Sequence, residues 1–315
     1  MSELPTAVLG RTNIRVTKLA FGAMELRGPI PGIGGRKVEP AQANDILNAV
    51  LDAGITLIDT SPDYGPSEQY IGEFISHRRG EFFLASKCGC AINRDPNDFP
   101  PRHTFTRQNV RAGVEQSLAR MKTDFLDLVQ FHMSPSRAEL EANDAVAELE
   151  ALKREGKIRF IGMSGILPNL TDHIGMGVFD TFQIPYSAVE REHEAAITAA
   201  GEAGAGVIVR GGVARGLRSV SSEGMHNLPE QYRQSIAKRL SIWEAAKLEE
   251  VLDGTPRMEF MLRFTLSHPH MTTTIVGTLN PNHLAENVAA AAKGPLPAEQ
   301  VRAFKQRLDE AQARI

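Results

Sequence analysis

The run Ile55-Thr56-Leu57-Ile58-Asp59-Thr60-Ser61-Pro62-Asp63-Tyr64-Gly65 decides how this chain folds. Ile55 to Thr60 is short, apolar and β-branched up to a single carboxylate, as a strand buried on both faces should be. A Ser/Pro/Asp/Gly turn then stops it at once. The same unit recurs on either side. Lys18–Gly22 precedes it, and Phe82–Lys87, Leu126–His132, Ile158–Ser164, Asp180–Tyr186, Gly206–Arg210 and Thr273–Gly277 follow.

Helical periodicity fills the intervals. Ala41–Ala53 places Ile46, Leu47, Val50 and Leu51 on one stripe, and Arg107–Met121 spaces Val110, Val114 and Leu118 four apart. Ala138–Glu155, Glu190–Ala203, Glu230–Leu252, Arg257–Ser267, Pro281–Ala292 and Pro297–Arg314 follow the same logic. Eight strands alternating with helices predict an α/β fold with a parallel sheet, and eight is the number that closes into a (β/α)8, TIM-type barrel. Ala7–Leu9 and Ile14–Val16 flank Gly10-Arg11-Thr12-Asn13, which reads as an N-terminal hairpin plugging the barrel floor. Ala298–Ile315 lies beyond the eighth unit and predicts an extra C-terminal helix. With no repeat or linker, residues 1–315 read as one domain.

Its 315 residues suit such a barrel, and 42% hydrophobic with 23% charged residues allow a large core and exclude wholesale disorder. Lys plus Arg is 35 against 38 Asp plus Glu, a net charge of −3 that argues against nucleic acid or an anionic membrane as main partner. No apolar run reaches membrane-spanning length, and the start lacks the order of a signal peptide. Cys88 and Cys90 are too close for an unstrained disulfide and too few for a zinc site. His268-Pro269-His270 has no third ligand nearby in sequence. A reduced, cytoplasmic protein without a metal is expected, as a monomer or small homo-oligomer.

Asp59 and Tyr64 leave strand 2, Lys87 ends strand 3 and His132 ends strand 4, so four polar groups converge on the face where barrels place catalysts. Each has an ordinary role open to it: helix cap, turn aromatic, solvated cation, core histidine. Together they suit protonation of an oxygen while another agent supplies an electron pair to carbon. A phenol needs help to exchange a proton near neutral pH; Lys87 would favour phenolate and Asp59 would hold the lysine. A neutral His132 can donate to a carbonyl oxygen. No side chain supplies hydride, so a nicotinamide cofactor is required.

The segment Gly54–Gly72, with Asp59, Tyr64, Gly65, Glu68 and Gly72, resembles the signature of the aldo-keto reductases, and the order Asp59, Tyr64, Lys87, His132 resembles that family's catalytic tetrad. The resemblance spans nearly the whole chain. It implies reversible reduction of a small-molecule aldehyde or ketone, with Tyr64 as general acid, Lys87 and Asp59 tuning it and His132 orienting the carbonyl. It implies NADPH as cofactor, with NADH open, since no Arg or Lys lies between Gly277 and Asn287. Ser164 and Gln183 would hold the carboxamide, with Gly22, Ala23, Met24 and Asp59 beside them. The backbone of Gly211, Gly212 and Val213 would carry the pyrophosphate, Arg210 and Arg215 are cations within reach of the cofactor's phosphates, and Gly277, Thr278, Leu279, His283, Glu286 and Asn287 would surround the adenosine end. Two positions depart from the family: Gly165 replaces an asparagine after the strand 5 serine, and Arg210 stands where an aromatic usually stacks on the nicotinamide.

Two other functions remain open: a nicotinamide-binding regulatory subunit with little turnover, and a lyase using Lys87 as a Schiff-base amine. Specificity is expected in the loops Met24–Arg36, Gly89–Thr106 and Gly212–Leu228, where Leu26, Ile30, Ile33, Phe99 and Phe105 suggest a partly apolar mouth. Gly32-Ile33-Gly34-Gly35 reads as part of that mouth rather than as a phosphate loop.

Overall fold

A computed structural model describes residues 3–29, 36–92, 102–213 and 230–313. Arg215, Ile30, Ile33 and Phe99, and most of the three expected specificity loops, lie outside them.

Eight parallel strands close into a barrel in chain order: β3 (Leu19–Gly22), β4 (Leu57–Asp59), β5 (Phe83–Cys88), β6 (Leu126–Phe131), β7 (Ile158–Ser164), β8 (Thr181–Pro185), β9 (Gly206–Arg210) and β10 (Thr273–Val276). The ring is completed by β10 pairing with β3, with Thr274 opposite Leu19 and Val276 opposite Phe21. These strands are buried almost throughout because one face lines the barrel and the other carries the helices. The first two strands, β1 (Thr6–Val8) and β2 (Arg15–Thr17), form the antiparallel N-terminal hairpin. Its Leu9 and Val16 pack with Ala20, Leu57, Phe83, Ala85, Leu128 and Ile208 as a core inside the barrel floor. The larger core, with Phe21, Ile58, Leu84, Val129 and Ile161, lies between the strands and the helices.

Alternation along each strand positions the site. Successive side chains point to opposite faces, so Asp59 shares the inward face with Leu57, Lys87 with Phe83 and Ala85, and Gln130 with Leu128. One more inward step along each strand, at the C-terminal mouth, apolar filling gives way to polar groups.

Several helices differ from expectation. Ala138–Glu155 is two helices, Arg137–Ala142 and Ala145–Arg154, broken at Asp144, whose φ of 49° is left-handed. Short Asn143 and Asp144 tolerate that turn better than most residues. The helix expected from Glu190 begins only at Glu194, because Ser187 and Glu190 bridge first. Glu230–Leu252 stops at Ala245 and ends in a 3₁₀ turn, Leu248–Val251. Ser67–Phe74 and Asn169–Met176 are helices that periodicity did not pick out. The C-terminal helix spans Ala298–Gln312.

Candidate active site

Asp59, at the end of β4, is the hub. Its Oδ1 accepts from Lys87 Nζ, from Gln130 Nε2 at 3.0 Å and from Gln183 Nε2 at 2.9 Å. Lys87 Nζ also donates to the Thr60 carbonyl at 3.1 Å. Asp59, Lys87, Gln130 and Gln183 are all buried, and a carboxylate and an ammonium out of water must be paired and hydrogen-bonded in this way. Ser164 Oγ donates to Gln183 Oε1 at 3.2 Å, extending the network across the floor of the mouth. Gly162 makes room for it, since a Cβ there would stand 2.9 Å from the Gln130 side chain.

Tyr64 sits in a turn tied down at both ends. Its N–H donates to the Ser61 carbonyl at 3.0 Å, and its carbonyl accepts from the Ser67 N–H at 2.9 Å. Gly65 follows at φ 48°, with the Arg27 carbonyl where a Cβ would lie, so the turn can close only on glycine. Ser67 Oγ donates to the Ala23 carbonyl at 3.0 Å and fixes the turn to the segment after β3. The Tyr64 and His132 rings meet edge to face, centroids 6.3 Å apart.

Burial, with the Asp59 carboxylate adding to it, pushes the Tyr64 phenol well above its usual range, and Arg210 pulls the other way. The Lys87 ammonium is engaged by Asp59 and the Thr60 carbonyl. Burial lowers His132 and keeps the imidazole neutral. Burial also raises Asp63, but the His103 and His132 rings beside it outweigh that and hold this carboxyl well below the ordinary range.

A cavity of about 1040 Å³ joins most of the expected site. Asp59, Tyr64, His132, Ser164, Gln183 and Arg210 line one end. Gly22 and Met24 line its side, Gly211 and Val213 extend it, and Gly277, Thr278, His283, Glu286 and Asn287 line the far end. Leu279 borders an adjoining cavity of about 390 Å³. Lys87, Ala23 and Gly212 do not line either one: Lys87 lies behind Asp59, Ala23 is fully buried, and Gly212 is packed beneath Thr265 and Thr274. A buried, ion-paired Lys87 is poorly placed to form a Schiff base. The residues missed from sequence are Gln130, which faces Asp59, and Arg27 and Arg36, which line the adjoining cavity with Thr278 and His283.

Gly165 has a steric explanation. A Cβ there would lie 3.0 Å from Leu170 and 3.2 Å from Met163, so the Asn169–Met176 helix packs where a larger residue would project.

The arrangement has room and donors for a nicotinamide dinucleotide. Ser164 and Gln183 offer a hydroxyl and an amide to a carboxamide, a Cβ at Gly211 would meet nothing within 4 Å, and Arg27 and Arg36 bring positive charge to the far end.

A model of the aldo/keto reductase family matches residues 18–309. The uncharacterized oxidoreductase YqkF of Bacillus subtilis (strain 168) is 27% identical, covering 94% of this chain and 94% of that protein. L-galactose dehydrogenase of Arabidopsis thaliana is 25% identical over 93% of this chain and 90% of its own length. Among solved structures, the aldo-keto reductase AKR11C1 of Bacillus halodurans, in its holo form, superposes with a TM-score of 0.79 at 26% identity, covering 97% of this chain and 96% of that one.

Proposed function

This chain belongs to the aldo/keto reductase family, whose members are oxidoreductases using NAD(P)H, and on that premise we propose that it reduces an aldehyde or ketone reversibly, with NADPH as preferred cofactor and Tyr64 as proton donor. One observation carries the reading: Tyr64 and His132 open onto a single cavity that runs from the Asp59 hub to Gly277–Asn287. When bound, the nicotinamide supplies hydride to the carbonyl carbon. Tyr64, its phenol held protonated, delivers a proton to the carbonyl oxygen and takes it back in the reverse direction. Neutral His132 donates a hydrogen bond to that oxygen. Asp59 and Lys87 hold the floor beneath Tyr64, and Ser164 and Gln183 orient the carboxamide. Arg210 faces the reacting end and draws the phenol toward phenolate. Free Cys88 and Cys90 accord with a reducing compartment, which supports a cytoplasmic location. Among the described residues no helix is long and apolar enough to cross a membrane.

The test is a panel of ring ketones, aromatic and terpenoid aldehydes and sugars, followed by nicotinamide absorbance with NADPH and NADH. Tyr64→Phe keeps the ring and removes the acid, so kcat should fall about 10²–10⁴-fold with cofactor affinity unchanged. Retention of most of the activity would remove Tyr64 from the mechanism. Tight cofactor binding without turnover on any carbonyl would favour the regulatory-subunit reading instead.

A further inference from the structure

Around His132 Nδ1, the donor atoms of four side chains from four separate segments come together. Asp63 comes from the turn after β4, Cys90 from just beyond β5, His103 from the segment leading to the Arg107–Met121 helix, and His132 from the end of β6. Asp63 Oδ2 lies 3.0 Å from His103 Nε2 and 3.3 Å from His132 Nδ1. The two imidazole nitrogens are 3.3 Å apart, and Cys90 Sγ is 3.4 Å from His132 Nδ1. All four donors lie within 4.8 Å of one another, and no other grouping of three or more such residues occurs among the described residues. Cys90 is buried, and the Asp63, His103 and His132 side chains are 7%, 9% and 14% exposed.

We propose that Asp63, Cys90, His103 and His132 form a tetrahedral site for Zn²⁺. With bonds of about 2.0–2.3 Å to oxygen, nitrogen and sulfur, a tetrahedral ion separates its ligand atoms by about 3.3–3.6 Å; the four separations of 3.0–3.4 Å given above fall at or just below that range, and Cys90 Sγ lies within 4.8 Å of the Asp63 and His103 donors. The donor types fit as well as the spacing. One thiolate, two imidazoles and one carboxylate are a zinc set, too soft for Mg²⁺ or Ca²⁺. One thiolate and one carboxylate supply two negative charges against the ion's two positive ones. The Cys90 thiol releases its proton to solvent as the ion binds. Four protein ligands leave no open position, which assigns the ion a structural role rather than a Lewis-acid one.

The site would act on the reaction through one ring. With Nδ1 on the metal, neutral His132 must carry its proton on Nε2, the nitrogen at the far corner of the ring, which is the tautomer that donates to a carbonyl. That consequence rests on the reductase reading; the ion's binding does not.

Metal-stripped full-length protein titrated with Zn²⁺, and separately with Co²⁺ as spectroscopic probe, tests the site without reference to activity. About one ion should bind per chain. The Co²⁺ form should show a thiolate charge-transfer band in the near ultraviolet with intense tetrahedral d–d bands. Cys90→Ser should abolish the charge-transfer band, Cys88→Ala should keep it, and His103→Gln should weaken Zn²⁺ binding at least tenfold, which decides the matter if Cys90→Ser does not fold. Absence of stoichiometric binding, a weak octahedral cobalt spectrum, a band that survives Cys90→Ser, or unchanged affinity in His103→Gln would each overturn the proposal, while leaving Tyr64 and the carbonyl reaction untouched.

Discussion

At the scale of single residues, the cofactor's adenosine end is where sequence and structure part company. The segment Gly277–Asn287 contains no Arg or Lys, which by itself predicts weak discrimination between NADPH and NADH. Folding brings Arg27 and Arg36 to the same cavity as Thr278 and His283, and a 2′-phosphate recruits such cations. A charge-assisted hydrogen bond contributes about 1.5–3 kcal/mol, a factor of about 10–100 in affinity. Arg27→Ala and Arg36→Ala should therefore raise the Kd for NADPH by about that factor and leave NADH unchanged, as measured by calorimetric titration. Equal losses for both cofactors would place these arginines on the pyrophosphate or in the fold. Asp59, Tyr64, Lys87 and His132 were legible because each ends or follows a strand whose apolar run is plain, and strand ends of neighbouring strands must meet. Arg27, Arg36, Asp63, Cys90 and His103 were not, because they come from turns and irregular segments whose mutual approach depends on backbone paths that no periodicity encodes.

At the scale of elements, the hairpin is the piece most separable from the chemistry. Leu9 is fully buried in the barrel-floor core, and a Cβ at Gly206 would collide with it. Gly10 follows at φ 51°, pressed so close to Gly206 that a Cβ would lie 2.0 Å from the Gly206 nitrogen. Arg11 fastens the turn to the Gly177 and Ala203 carbonyls at 3.1 and 2.7 Å. Leu9→Ala should cost about 2–5 kcal/mol of stability in urea denaturation with little change in KM, since the cavity opens at the opposite end of the barrel. A cost below about 1 kcal/mol would mean that the hairpin covers the floor without sealing it. The strands were readable from sequence because burial on both faces leaves an unbroken apolar run. The helices were read less well: eight-residue Ser67–Phe74 and Asn169–Met176 make about two turns each, too few to show a stripe.

Across the whole molecule, acid sensitivity follows from buried imidazoles. Burial lowers His173 and His268, and the His173 ring hydrogen-bonds the Pro135 carbonyl at 2.7 Å. In the unfolded chain both titrate near the ordinary value of about 6.5. Below that pH the unfolded state binds more protons than the folded one, so this contribution is complete above pH ~6.5 and is lost as pH falls toward the depressed folded values. Denaturation midpoints should drop between pH ~7 and pH ~5, and His173→Gln should flatten that slope. A wild-type midpoint independent of pH over this range would show that these rings remain neutral for no energetic gain. Barrel closure carries a different consequence, one of timing. Leu19 finds its partner in Thr274, so a growing polypeptide exposes the β3 edge until the last strand has been made. At about 5–20 residues per second, that interval is on the order of tens of seconds, and an unpaired strand edge is an invitation to foreign strands throughout it. The same ring that leaves the finished barrel without an edge makes its birth depend on whatever shelters the first strand from its neighbours.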